Sequence, residues 1–151
     1  MILTQLPDEY KHYISKFPET VKVPDTFIPY IAIFKELNLD IVYSNFLAIH
    51  TFVVYYKGIR VASLSYMIMK NPNNNPPTTS FTTYVTFANP NKTINPNIPI
   101  ENINPLPSAF DRNVIDSPPV ETTKPILLKL INNINKYLQQ SKLNTINSYF
   151  K

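Results

Sequence analysis

The stretch FLAIHTFVVYYKGIRVASLSYMIMK, Phe46 to Lys70, decides the fold class. β-Branched and aromatic residues dominate it, and a side-chain period of two begins just before it, at Ile41. The only glycine of the chain, Gly58, follows Lys57 in the middle of the stretch, where a tight hairpin turn needs a positive φ. The sequence therefore predicts a β-hairpin centred on Lys57 and Gly58.

A third strand is predicted in SFTTYVTFA, Ser80 to Ala88. Its residues alternate as a sheet with one face on a core requires, with Phe81, Thr83, Val85 and Phe87 set against Thr82, Tyr84 and Thr86. Three strands make a small sheet for 151 residues. We therefore expect Asn89–Pro107 to supply a further strand, for a total of three to five.

Three segments show the helical spacing of apolar residues: 6–17, 23–40 and 122–143. The second is expected to be capped by Asp25 or Thr26, and the third by Thr122 or Thr123, with Pro125 in its first turn. The fold prediction is a single α+β domain over residues 1–151. In it, an antiparallel sheet packs against two N-terminal helices and one C-terminal helix.

Residues 88–120 are predicted to form an extended, proline- and asparagine-rich arm. Each proline removes a backbone donor and restricts the residue before it, which excludes most regular structure. The arm also carries many large apolar side chains, so it is expected to pack on a surface. The candidate partner-binding residues are Ile94, Ile98, Ile100, Ile103, Leu106 and Phe110. Two interpretations remain open: a strap across the domain's own sheet, or an arm that reaches a neighbouring subunit or another protein.

The net charge of +4 is unevenly placed, because residues 41–100 contain no aspartate or glutamate. Basic and aromatic residues occur together there, as surfaces for single-stranded nucleic acid require. The candidate nucleic-acid residues are Tyr55, Tyr56, Lys57, Arg60 and Tyr66. Against this interpretation, alternating aromatic residues in strands usually pack in a core, and the chain has only two arginines.

The sequence contains little that indicates catalysis. It has no cysteine, two histidines and one glycine, so thiolate chemistry and glycine-rich phosphate loops are excluded, and no metal or cofactor motif is recognised. No catalytic residue is assigned. If the protein were an enzyme, His50 with Asp111 or Asp116 would be the first combination to test.

These patterns favour a small, non-enzymatic protein-binding or assembly protein that uses the arm. A homodimer is its simplest form, and another protein is the other partner class. The alternative is a nucleic-acid-binding accessory protein that uses region 41–100. The abundance of asparagine, isoleucine, lysine and tyrosine suggests an AT-rich genome, such as that of a virus or mobile element. Without a secretory signal or a long apolar run, we expect an intracellular protein that is not secreted and binds no membrane.

Overall fold

The computed structural model describes residues 2–73, 75–76, 78–88, 114–116 and 119–149. It has the predicted α+β fold, with an antiparallel sheet, a smaller two-stranded sheet, two short N-terminal helices and a long C-terminal helix. The strands are β1 (Leu3–Gln5), β2 (Lys22–Pro24), β3 (Asp40–Phe46), β4 (Ile49–Tyr56), β5 (Ile59–Asn71), β6 (Thr78–Ala88) and β7 (Val114–Asp116). The helices are α1 (Asp8–Lys11), α2 (Ile28–Glu36) and α3 (Val120–Tyr149), and a 3₁₀ turn at Asp25–Phe27 leads into α2.

The main sheet has the strand order β3-β4-β5-β6-β7, and each of its strands is antiparallel to its neighbours. The predicted hairpin is confirmed: β4 and β5 are joined at Lys57 and Gly58, whose φ angles are 50° and 82°. The third predicted strand is also confirmed as β6. The further strand expected in Asn89–Pro107 lies outside the described residues.

The sequence prediction missed a second hairpin turn, at Leu47–Ala48. The period-two run that begins at Ile41 is two strands, β3 and β4, which pair from Asp40 opposite Tyr55 to Phe46 opposite Ile49. Leucine and alanine are not turn residues, so nothing in the local composition marked this reversal.

One face of the main sheet forms the core. Cross-strand rows of buried residues run through it, such as Ile41, Val54, Ala62 and Phe87, and Tyr43, Phe52, Leu64 and Val85. Helix α2 adds Ile31 and Phe34, and the 3₁₀ turn before it adds Phe27, all fully buried. Aromatic rings meet edge to face across this layer, with Phe34 and Phe87 at 6.1 Å between centroids. The core is thus an aromatic layer between α2 and the sheet.

The first predicted helix is much shorter than its apolar pattern suggested, because α1 ends at Lys11. The chain then turns so that Ser15 pairs with β3: its N–H donates to the Ile41 carbonyl, and its carbonyl accepts from Tyr43, both at 2.9 Å. The apolar side chains of the segment are buried or partly buried without a continuous helix. Tertiary pairing therefore overrides the helical periodicity.

The predicted helix caps are wrong in detail. Asp25 does not cap its own helix, since its carboxylate accepts the N–H of Ile2 at 3.2 Å. Helix α3 begins at Val120, before the predicted caps, and the Thr122 hydroxyl donates to the Pro119 carbonyl at 2.7 Å. Pro125 consequently lies inside the helix and not in its first turn.

The apolar stripe predicted for α3 is confirmed. Leu127, Leu130 and Ile134 are buried in the same core cluster as the sheet and α2. An ion pair between Lys124 and Glu36, at 2.7 Å, joins the surfaces of α3 and α2. The C-terminal helix therefore completes the core on the side of α2.

Candidate functional site

The turn between β3 and β4 presents apolar side chains to solvent. Leu47 is 84% exposed, Phe46 is 75% exposed and Ile49 is 43% exposed. Leu47 also adopts a φ of 56°, a left-handed conformation in which its Cβ crowds the backbone. We call Phe46, Leu47 and Ile49 the apolar tip. Folding alone does not account for it, because a glycine or asparagine would suit this turn better.

The apolar tip continues onto the face of the sheet opposite the core, here called the outer face. The strand register places Phe46, Ile49, Met67 and Thr82 in one row across four strands. Tyr84, 52% exposed, and Met69, 45% exposed, flank this row on the same face. The apolar tip and these neighbours form one contiguous strip, and we call it the outer strip.

A shallow depression of about 190 Å³ lies within the outer strip. Its exposed lining surface is almost entirely apolar, although four of its residues carry a hydroxyl group. The lining consists of Ile49, Ser65, Tyr66, Met67, Thr82 and Tyr84. Open apolar concavities of this kind suit a protruding apolar side chain of a partner better than a small polar ligand.

The outer strip carries no charge within its row, since Phe46, Ile49, Met67 and Thr82 are all neutral. From the start of β3 to the end of β6, the charged residues are Asp40, Lys57, Arg60 and Lys70. A neutral surface pays no desolvation penalty for ions when it is buried against a partner. The strip is therefore suited to apolar docking.

A hydrogen-bonded aromatic cluster lies on the core side of the same end of the sheet. The Tyr43 hydroxyl and His50 Nδ1 are 2.6 Å apart, and the His50 ring stacks on Tyr66 with centroids 4.6 Å apart. The Tyr66 hydroxyl donates to the Lys22 carbonyl at 2.5 Å. Burial lowers the pKa of His50, which favours the neutral ring, and in the tautomer protonated at Nε2 the Nδ1 atom accepts from the Tyr43 hydroxyl. Burial also raises the pKa of Tyr43 and of Tyr66, so both stay protonated donors.

This cluster shows the features of a packed histidine. The structure does not bring Asp116 to it, because Asp116 lies on β7, three strands away from β4. Asp111 lies outside the described residues. Among the side chains that the structure describes, no group of three histidine, aspartate or glutamate residues is placed to hold a metal ion.

Four of the five candidate nucleic-acid residues meet at the Lys57–Gly58 turn. Tyr55 pairs with Arg60, and the Lys57 ammonium lies 5.3 Å from the centre of the Tyr56 ring. Asn135 of α3 accepts hydrogen bonds from the Tyr56 hydroxyl at 2.8 Å and from Lys57 at 3.2 Å. This end of the sheet is thus tied to α3.

The remaining features weaken that group as a phosphate and base surface. Burial lowers the pKa of Arg60, and its buried Nε has no hydrogen-bond partner among the described residues. Tyr66 is 1% exposed and lies in the core, where its ring stacks on His50 instead of facing solvent. The five candidate nucleic-acid residues therefore do not form one surface: four lie at the Lys57–Gly58 turn, and Tyr66 lies in the core at the other end of the sheet.

The arm residues predicted to bind a partner, Ile94, Ile98, Ile100, Ile103, Leu106 and Phe110, lie outside the described residues, and their role stays a prediction. The outer strip, by contrast, was missed by the sequence analysis. A usable signal existed, because a period-two run from Ile41 to Tyr56 is longer than most strands and implies a reversal within it.

No protein-family model matches the chain, and searches of curated proteins and of solved structures find no significant similarity. Among the helices in the described part of the chain, none is long and apolar enough to cross a membrane.

Proposed function

We propose that this protein is a non-enzymatic assembly protein that binds a second copy of itself through the outer strip. The observation that carries the proposal is the apolar tip, where a leucine that is 84% exposed occupies a left-handed backbone position. Such a conformation costs a non-glycine residue about 1–2 kcal/mol. Strain and exposure at the same residue favour an external role for it.

A second copy is the partner that the surface fits best. The row of the outer strip is neutral, so two copies of it can face one another without like-charge repulsion. Closed two-fold dimers are also the commonest form of soluble oligomer, because one patch then serves both subunits. The arm at residues 88–120 is a second contributor to assembly on sequence grounds.

The test measures molar mass by size-exclusion chromatography with light scattering, for the unaltered chain and two variants. Phe46→Ser removes an exposed ring from the apolar tip, whereas Leu128→Ser removes an exposed apolar side chain from α3 and serves as the matched control. We expect a dimer for the unaltered chain and for Leu128→Ser, and a shift to monomer for Phe46→Ser. A monomeric unaltered chain, or equal effects of the two variants, would contradict the proposal.

Nucleic-acid binding is the alternative, and the observation in its favour is the exposed Lys57 ammonium beside Tyr56 and Arg60 at one turn. Salt separates the two functions. Apolar association should persist at high ionic strength, whereas phosphate contacts release counterions and weaken steeply. A nuclease-sensitive excess of absorbance at 260 nm in the eluted peak would favour the alternative.

A further inference from the structure

The depression in the outer strip exists because a small residue lies among larger ones. Ser65 lies on β5, opposite Thr51 of β4 and Tyr84 of β6. Its hydroxyl donates to the Thr51 hydroxyl at 3.4 Å, so this polar group of the depression is already bonded within the sheet. Ile49 and Met67, from the neighbouring row, line the other side. A bonded hydroxyl surrounded by apolar surface favours an apolar occupant over a polar one.

The size of the depression fits an aromatic ring. Its volume is about 190 Å³, and an apolar cavity of about 150 Å³ is large enough to hold one benzene molecule. The exposed ring of Phe46 lies on the same face of the sheet. The outer strip therefore carries both a projecting phenyl ring and a recess of matching size.

The ring and the depression are placed so that two copies can exchange them. The depression is centred on β5, two strands away from Phe46 on β3. Because neighbouring strands lie about 4.8 Å apart, ring and depression are separated by about 10 Å across the sheet. A two-fold axis that runs along β4, in the plane between two facing outer faces, interchanges these two positions. Each Phe46 then meets the depression of the other copy.

We infer that two copies pack outer face to outer face, with the Phe46 ring of each inserted into the depression of the other. This inference rests on the proposed assembly function and specifies its contacts. The same axis brings Ile49, on β4, against Ile49 of the second copy. It also carries Leu47 onto Met69 of the second copy, because Met69 lies two residues beyond Met67 in the direction of the Leu47–Ala48 turn.

The charges at the far end of the outer face agree with this arrangement. Asp40 and Arg60 belong to one row of paired residues, with Tyr55 between them, and lie two strands apart. The axis that exchanges Phe46 with the depression therefore carries Asp40 towards Arg60 of the second copy. Opposite charges approach one another at both ends of this row, which favours a second copy as the occupant.

The area of the outer strip is sufficient for such a pair. A fully exposed large apolar side chain presents about 150–250 Å², and five side chains of the strip are at least 43% exposed: Phe46, Leu47, Ile49, Met69 and Tyr84. Each copy thus offers roughly 500–600 Å² of apolar surface, and the pair about 1,000–1,200 Å², against about 1,000 Å² for a specific interface. Met67 and Met69 are flexible and unbranched, so they adapt to the inserted ring.

The test mixes two variants that each remove a different half of the contact. Phe46→Ser lacks the inserting ring, and Ser65→Gln fills the depression with a neutral amide. Ser80→Gln is the matched control, because Ser80 is an exposed serine of the same face that does not line the depression. Urea denaturation checks that each variant folds. If Ser65→Gln is unstable, Thr82→Gln replaces it, since Thr82 is an exposed residue of the lining.

Association is measured by light scattering and by capture of an untagged chain on a tagged one. We expect Phe46→Ser and Ser65→Gln to be monomeric at a concentration where the unaltered chain and Ser80→Gln are dimeric. Their equimolar mixture should associate at least about tenfold more tightly than either variant does with itself. The reason is that the Phe46 ring of the Ser65→Gln chain still enters the intact depression of the Phe46→Ser chain.

The outcomes separate the insertion from the assembly function. A dimeric unaltered chain would overturn the insertion, and leave the assembly function intact, if Ser65→Gln dimerises equally well or if the mixture shows no gain over the separate variants. The second result is expected when the two Phe46 rings contact each other instead. A monomeric unaltered chain would overturn both.

Discussion

Strand β4 has a two-residue turn at each end, and the two turns are built in opposite ways. At Lys57–Gly58 both residues take positive φ angles, the second of them a glycine, and Asn135 of α3 accepts hydrogen bonds from Tyr56 and Lys57. At Leu47–Ala48 a leucine takes the positive φ, and its side chain is almost fully exposed. The first turn thus contains a glycine and is anchored to a helix, whereas the second has neither feature.

The difference between the two turns distinguishes residues that the hairpin needs for folding from residues that it does not need. Both turns close hairpins of the same sheet, and each places a non-glycine residue, Lys57 or Leu47, at a positive φ. At Lys57–Gly58 that residue is polar, and the second positive φ falls on a glycine, which adopts it without strain. At Leu47–Ala48 it is an exposed leucine beside an exposed phenylalanine, and binding to a partner, as proposed above, would remove these apolar side chains from water.

The largest effect is expected midway between the two turns, at Phe52. Its ring is fully buried and lies 5.4 Å from Tyr43 and 5.7 Å from Phe17, measured between centroids. Phe52→Ala removes these contacts and leaves a cavity, which should lower the free energy of unfolding by about 3–5 kcal/mol. The measurement is urea denaturation, with Phe46→Ala as the exposed control, expected to change stability by less than about 0.5 kcal/mol in the monomer. Similar losses in both variants would contradict the assigned burial.

An intermediate effect is expected from exchanging the chemistry of the turns. Gly58→Ala adds a Cβ that meets no atom within 4 Å, so only the positive φ penalises it, and the free energy of unfolding should fall by about 1–2 kcal/mol. Leu47→Gly relieves the same kind of strain and should raise the free energy of unfolding by about 0.5–1 kcal/mol. The gain is limited because glycine loses more backbone entropy on folding.

Both turn variants are measured by thermal and urea denaturation at a concentration where the chain is monomeric, because dimerisation would add to the apparent stability. Leu47→Gly should also weaken self-association, whereas Gly58→Ala should not. If Leu47→Gly were destabilising, the side chain of Leu47 would have to make contacts within its own subunit.

The smallest effect concerns His50, which lies one residue from the apolar tip. Burial lowers its pKa from the ordinary value of 6.5, so the unfolded chain binds a proton here more readily than the folded one. The stability contributed by the neutral ring is therefore present above pH 6.5 and is lost as the pH falls from there through the folded-state pKa.

His50→Gln removes this titration. We expect the urea midpoint of the unaltered chain to fall more than that of His50→Gln between about pH 7.5 and pH 5. His12→Gln, at an exposed histidine of the N-terminal segment, should behave as the unaltered chain does. Equal pH dependence in all three proteins would show that His50 does not carry the linkage.

Elements that depend on nearby residues were predicted correctly from the sequence, and features that depend on contacts with distant residues were not. The hairpin at Lys57–Gly58 and the stripe on α3 were predictable, since glycine and apolar spacing act over a few residues. The early end of the first helix, at Lys11, was not predictable, because Ser15 departs from the helical pattern and bonds with β3, more than twenty residues away. Asp25 was likewise drawn from its own helix to the N–H of Ile2.

By itself, the sequence determined the α+β class, the alternation of β5 and β6 and the apolar face of α3, because side-chain periodicity encodes which face of an element is buried. Tertiary structure alone decided that Phe46 and Leu47 are exposed at a turn and that Tyr66 lies in the core beside His50. Exposure depends on which distant segments cover a residue. A single unaligned chain specifies its apolar residues but not what lies against them.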